Sequence, residues 1–366
     1  MQGRKFLHVM FSEKFTKDVV DMYNCYFCDG NHSVLYLNAT NISLIRPDIT
    51  LEQSEIMLAD GKRIQNLFRF FQALTKNTYI LIHSYSCLGF DMKLLLLPFL
   101  RKIIWIEWGS DLYNWKNVRK LKFITMPINR VIREKIYGVI CIFPPDVDTY
   151  KKSFPKSRAK VFYSPYVGGV KSEFPEEYVY YDRLEQRKST GEPLYVLVGH
   201  SGQKHLNHLS VLEKLRAYRD ENIRVVLSLS YGDESYIAQV KETATAIFGD
   251  KAIIWDSFIP AKEYFKLLKR IDIAVFDTKR QAALSNLNKL LFQNTKIYMN
   301  TDCPMWQYFI EKGFCMYPTD QIGKVDFSVF SEEARNLDDD LVKRYYDEKR
   351  DFLKYVKQWE QIYSKL

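Results

Sequence analysis

Residues 194–208 read LYVLVGHSGQKHLNH, and the fold of the whole chain turns on how they are read. Leu194 to Val198 are mostly apolar and have the composition of a strand buried on both faces of a parallel sheet. Gly199 ends the run, and His200, Ser201 and Gly202 make a tight polar turn. A helical pattern follows, with Leu206, Leu209, Leu212 and Leu215 on one face. Strand, glycine turn and helix in that order aim backbone N–H groups at a phosphate. The turn is neither Gly-x-Gly-x-x-Gly nor a Walker loop, since no Gly-Lys-Ser/Thr follows, and a plain strand-to-helix connection needs the same glycines. Its place near the midpoint makes it the opening of a second α/β domain.

On either side the same alternation recurs. Strand candidates before it are Phe6–Phe11, Val34–Leu37, Tyr79–His83, Ile103–Trp108, Val139–Phe143 and Val161–Tyr163. After it come Val225–Leu229, Ala252–Trp255, Ile273–Phe276 and Ile297–Met299. Strands alternating with helical stretches imply right-handed βαβ units and parallel sheets. The polar, charged stretch 171–193 reads as a linker. The expected organisation is therefore an N-terminal Rossmann-like domain over 1–170, the linker, a second Rossmann-like domain over 194–326, and a charged helical segment over 327–366. No internal repeat is present. Two such domains facing across a cleft bind ligands at the carboxyl ends of their strands.

Length and composition agree. The 366 residues suffice for two cores, with 47% hydrophobic and 27% charged residues. A net charge of +9 points to anionic partners: a nucleotide, a lipid phosphate, an acidic membrane surface or nucleic acid. The six cysteines form no framework, and Cys25-x-x-Cys28 lacks a second pair, so reduced thiols are expected rather than zinc. Arg4 and Lys5 with no long apolar core after them argue against a signal peptide. The densest apolar run, Leu94 to Leu100, is broken by Pro98 and is too short to span a bilayer, so membrane contact is expected to be peripheral.

The residues just after the strands are the candidates for chemistry. IIWIEWGSDLY (103–113) presents Glu107 and Asp111 at a strand end beside aromatic walls, where a carboxylate can serve as a general base. Equally, Asp111 can cap the next helix and Glu107 can pair with a cation. His83 ends the preceding strand, as a catalytic imidazole or a core histidine. In 276–293, Arg280 can reach a diphosphate, and Ser285 or Asn286 can cap a helix that shares the charge; a surface arginine and an ordinary cap explain the same residues. Residues 116–135 interleave seven cations, among them Arg119, Lys120, Lys122 and Arg133, with apolar residues, as in a helix lying on an anionic membrane or an ordinary solvated cationic helix. Asp146-Val147-Asp148 is a possible metal–diphosphate motif, with Pro144-Pro145 suggesting a loop.

Taken together, WIEWGSDLY (105–113), VLVGHSGQKHLNH (196–208) and the 279–307 region are similar to a known family. The chain resembles the 4-acetamido-4,6-dideoxygalactose (Fuc4NAc) transferases of enterobacterial common antigen synthesis, two-Rossmann-domain enzymes of the GT-B type. The most specific matches are Trp108-Gly109-x-Asp111-Leu112-Tyr113 and Val198-Gly199-x-Ser201-Gly202. His8-Val9, His83, Gly138, Asp146, Tyr236-Ile237 with Val240, Arg280-Gln281 and Trp306-Gln307 also match. The chain departs from the family at His200, where the family has Asn, at Gln203, where it has Asp, and at Ala283-Leu284-Ser285, where it has a Gly-Ile-Gly pattern.

The resemblance implies transfer of a deoxyamino sugar from a dTDP-sugar to a lipid-linked polyprenyl diphosphate glycan. The reaction would run on the cytoplasmic face of the bacterial inner membrane, without cofactor, metal or nucleic acid. A leaving diphosphate then needs backbone N–H groups, a helix N-terminus and a cation. Gly199, His200, Ser201, Gly202, Tyr231, Arg280, Gln281, Ser285 and Asn286 are the expected donor site. Asp111 is the first candidate for the base, followed by Glu107 and His83. Two rival readings are a metal-dependent GT-A transferase using Asp146 and Asp148, and a non-catalytic binder of polyanions.

Overall fold

The computed structural model describes residues 3–10, 16–27, 30–37, 54–56, 63–116, 122–165, 191–332 and 339–366. The chain divides into two compact units: Met1–Phe174 with Lys349–Leu366, and Pro175–Glu348. Residues 171–190 of the expected linker lie outside the described residues.

The first unit is built on a seven-stranded parallel sheet. Its strands are β1 (Phe6–Met10), β2 (His32–Tyr36), β3 (Ser54–Ile56), β4 (Tyr79–His83), β5 (Ile103–Glu107), β6 (Gly138–Cys141) and β7 (Lys160–Tyr163), in the order 3-2-1-4-5-6-7. Every residue of β1, β5 and β6 is buried, as expected of strands covered on both faces. Leu7, Val9, Ile80, Ile82, Ile103, Trp105 and Val139 form the core on one face. Phe6, His8 and Tyr79 alternate to the other face. There the C-terminal helix Phe352–Lys365 packs, with Tyr363 edge-on to Phe6 at 5.0 Å and its hydroxyl 2.6 Å from that of Tyr23. Tyr355, Trp359 and Ile362, at helical spacing in the sequence, are all buried.

The second unit has a six-stranded parallel sheet of β8 (Leu194–Val198), β9 (Ile223–Ser228), β10 (Ala252–Trp255), β11 (Ile273–Phe276), β12 (Lys296–Met299) and β13 (Tyr317–Pro318), ordered 10-9-8-11-12-13. Counted from its own first strand this is 3-2-1-4-5-6, so both units are doubly wound. The direction of winding reverses between β1 and β4 in one unit and between β8 and β11 in the other. Ligands of such sheets bind at that reversal, outside the carboxyl ends of the strands.

The edge strands β3 and β13, of three and two residues, have no counterpart in the sequence reading. Another difference concerns Pro144-Pro145. These prolines do not make a loop; they occupy the first positions of the helix Pro144–Ser153, where a missing N–H costs nothing.

Candidate active site

In the second unit the chain leaves β8 through Gly199 at φ +66°, a conformation that favours glycine. A Cβ there would also sit 2.5 Å from His208 Nε2. The turn is tied to both neighbouring strands. Gly199 N–H donates to the Val275 carbonyl of β11 at 3.0 Å, and Gly202 N–H to the Tyr231 carbonyl after β9 at 2.7 Å. Ser228 Oγ donates to the His200 carbonyl. A single helical turn, Lys204–Leu206, follows; then Asn207 in the left-handed conformation donates from Nδ2 to the Asp277 carbonyl at 2.9 Å. Asp277 is itself fixed, its Oδ1 accepting from Asn300 Nδ2 and Thr319 Oγ1.

The β11 connection supplies the cation. Arg280 Nη2 lies 3.2 Å from His205 Nδ1, so the turn after β8 and the connection after β11 meet at the reversal. Gln281 is half-buried in the same connection. The next helix runs Leu284–Leu291, and its N-cap is Ala283 at φ +57°, with no side-chain cap. This corrects the expected cap: Ser285 and Asn286 sit inside the first turn. With alanine at the cap, the first-turn N–H groups are met by no capping side chain, the arrangement that suits an anion. Asn286 Nδ2 donates to Tyr264 Oη at 2.9 Å, and Tyr264 is in turn bonded to Ser228. Tyr231 is largely exposed beside them.

The first unit's candidates fall into two groups on opposite faces of the sheet, because His83 is in register with Ile106, one residue before Glu107. His83 lies at the end of β4 with its Nε2 3.0 Å from His8 Nδ1 across the β1/β4 reversal; His8 Nε2 is 2.9 Å from His32 Nδ1. Burial lowers His83 to about 3 and also pulls His8 down, so both are neutral at pH 7. The residue after His83, Ser84, holds φ +66°, an uncommon conformation for a non-glycine residue.

On the other face, Asp111 is buried. Its Oδ2 accepts from Tyr85 N–H at 2.8 Å and Trp105 Nε1–H at 2.6 Å, and its Oδ1 from Trp108 N–H at 2.9 Å. It therefore works as a clamp between three segments. Glu107 is fully buried too, accepting from Gly109 and Ile142 N–H groups. Burial and the neighbouring carboxylates Asp146 and Asp111 push its pKa well above the carboxylate range. Asp146 is raised to about 6, again mainly by burial, although Tyr113 donates to its Oδ1. Burial thus favours the protonated form of both carboxyls.

Arg133, grouped by sequence with the surface cations, is buried. It stacks on Tyr85 and Trp105 with its Cζ 4.8 and 4.9 Å from the ring centroids. Asp148 is exposed one turn into a helix, and among the described residues no group of His, Cys, Asp or Glu is arranged to hold a metal. The loop expected around Asp146-Val147-Asp148 is thereby corrected to a helix, with Asp146 buried and Asp148 exposed.

Several solved structures share this architecture. HepE from Anabaena, solved with UDP, superposes with a TM-score of 0.68 at 9% identity, covering 99% of this chain and 100% of that one. Sucrose-phosphate synthase from Thermosynechococcus elongatus gives 0.64 at 10%, covering 99% of each chain. A glycosyltransferase from Rickettsia africae gives 0.60 at 10%, covering 100% and 99%. The fold is GT-B. Residues 80–365 match the family model described as 4-alpha-L-fucosyltransferase, glycosyl transferase group 56; the chain belongs to that family and is a glycosyltransferase.

Proposed function

We propose that this glycosyltransferase moves a deoxyamino sugar, Fuc4NAc or a close relative, from a dTDP-linked donor to a lipid-linked polyprenyl diphosphate glycan in the synthesis of a bacterial surface polysaccharide. The observation that carries the donor reading is the uncapped first turn at Leu284–Asn286 in the connection that holds Arg280, whose guanidinium reaches His205 just after the Gly199–Gly202 turn. Backbone N–H groups, a helix dipole and a guanidinium are what a leaving diphosphate needs. In the reaction the anomeric carbon–oxygen bond to the β-phosphate breaks, the bond to the acceptor oxygen forms, and the acceptor proton passes to a base. We assign that base to His83 ahead of Asp111 and Glu107. Asp111 has its oxygens engaged by three N–H donors, and Glu107 is fully buried with both oxygens accepting from backbone N–H groups. His83 stands at the β1/β4 reversal, where ligands of such sheets bind; it is neutral at pH 7, although burial lowers its pKa to about 3 and so weakens it as a base.

The acceptor and location rest on a second observation. Among the described residues no helix is long and apolar enough to cross a membrane. Yet Ile64, Phe68 and Phe71 are exposed at helical spacing on Arg63–Lys76, Phe90 and Leu94 on Phe90–Leu96, and Phe123, Ile124 and Val131 on Lys122–Lys135. The helix Phe90–Leu96 packs against each of the other two, and exposed apolar residues on neighbouring helices mark an interaction surface. Arg69, Lys76, Lys135 and Arg130 are exposed on the same helices. This suits peripheral attachment to an anionic cytoplasmic leaflet. Arg119 and Lys120 of the basic stretch lie outside the described residues.

Turnover of dTDP-Fuc4NAc and a panel of dTDP- and UDP-sugars, with a polyprenyl diphosphate acceptor in anionic vesicles, tests the whole reading. The dTDP-deoxyamino sugar should be preferred, turnover should survive EDTA, and Phe68→Ser with Phe123→Ser should release the protein from the vesicles. Turnover of none of these donors would overturn the donor assignment.

A further inference from the structure

Around the Gly199–Gly202 turn, three side chains have buried polar atoms with no hydrogen-bond partner among the described residues. These are Ser201 at Oγ, His208 at both ring nitrogens and His205 at Nε2. Buried polar atoms are nearly always paired, so a cluster of exceptions calls for an explanation. His208 packs edge-on to Tyr236 and against Gly199, which accounts for its place though not for its unpaired nitrogens.

His205 is the most informative, because its proton can be located. A guanidinium only donates, so the contact from Arg280 Nη2 fixes the lone pair on His205 Nδ1. Burial, with the charge of Arg280 alongside, lowers the ring's pKa to about 3 and keeps it neutral at pH 7. Its one N–H is therefore at Nε2, a buried donor lacking an acceptor.

We propose that His205 binds the donor's diphosphate, Nε2–H donating to a phosphate oxygen while Nδ1 holds Arg280 in place against the same anion. The inference rests on the donor reading above and adds to it. An anionic oxygen is the acceptor that satisfies a neutral N–H and a neighbouring guanidinium together. Ser201, fully buried in the turn, adds a hydroxyl donor of the same kind. His205→Leu removes both functions of the ring, whereas His205→Gln keeps them, its amide oxygen accepting from Arg280 and its NH₂ donating to the ligand.

Calorimetric titration with dTDP and with UDP tests this. His205→Leu should weaken the better nucleotide about tenfold or more, the loss expected of a hydrogen bond to a charged group. His205→Gln should stay close to wild type. If His205→Leu binds like wild type while Arg280→Ala is weakened, the His205 inference fails and the donor site stands. Equal losses in the Leu and Gln variants would reduce His205 to a shape role and overturn the inference as well. A wild type that binds neither nucleotide would sink the donor reading and this one together. ¹⁵N correlation spectra of the wild type give a second readout: the Nε2–H tautomer, with that proton shifting on nucleotide addition, is expected. A Nδ1–H tautomer contradicts the proposal.

Discussion

The two sheets reverse their winding at equivalent points, and the polar residues there are disposed in opposite ways. At the β1/β4 reversal the histidines answer one another: His83 to His8, His8 to His32. At the β8/β11 reversal they do not, since His205, His208 and Ser201 have buried atoms with no hydrogen-bond partner among the described residues. Yet both reversals carry a non-glycine residue at positive φ in the connection after the fourth strand, Ser84 in one and Ala283 in the other. A closed network is suited to holding one imidazole in one orientation, and an open set of donors is suited to receiving an anion. On the proposed reading, the same strand order holds the base in the first unit and receives the donor's anion in the second.

The largest effect should come from breaking the closed network at its outer end. His83→Asn should lower turnover about 10²–10⁴-fold, the range for loss of a general base, with nucleotide affinity unchanged. Steady-state kinetics beside calorimetry would check it, and near-normal turnover would return the base to another residue.

Asp111→Asn separates a base from a clamp. An amide cannot accept three N–H groups as the carboxylate does, so denaturant unfolding should show a loss of about 1–3 kcal/mol. A variant as stable as wild type yet inactive would restore Asp111 as the base.

The smallest effect concerns the raised pKa values of Glu107 and Asp146. Their folded pKa values lie above the unfolded ones, so the stability they contribute is present at low pH and lost as pH rises through about 6 and beyond. The depressed histidines act in the opposite sense, gaining stability as pH rises, and cancel when a variant is compared with wild type. Between pH 5 and 8, wild type should therefore lose more stability than Glu107→Gln, by on the order of 1 kcal/mol. Parallel pH slopes in urea titrations would show that burial does not raise the pair.

Much of this was legible in the sequence where a residue type forces a local structure. The apolar runs Tyr79–His83, Ala252–Trp255 and Ile273–Phe276 have the same bounds in both readings, since continuous β-branched and aromatic runs bounded by polar residues have few other outcomes. Gly199 announced its turn because the backbone there requires glycine. Ala283 gave no such sign: nothing about an alanine says that it will adopt a left-handed cap, so Ser285 and Asn286 looked like the helix start.

His205 and His208 do not stand out by residue type, although QKHLNH directly follows the glycine turn; two histidines three apart beside a phosphate-type turn are the available signal. The link from His83 through His8 to His32 depends on β-register, with Phe6 opposite both His32 and Tyr79, and no local pattern encodes that. The apolar face with Ile64, Phe68 and Phe71 was missed for a related reason. Its residues have the spacing of an ordinary core helix, and only the packed structure tells which face is left uncovered.

Amide hydrogen exchange with and without dTDP and UDP tests most directly whether the open reversal is the donor site. Nucleotide should slow exchange at residues 199–202 and in the first turn at 284–286 of the second unit, leaving 83–85 and 107–113 of the first unchanged. Protection confined to 83–85 or 107–113, with none at 199–202 or 284–286, would contradict the assignment.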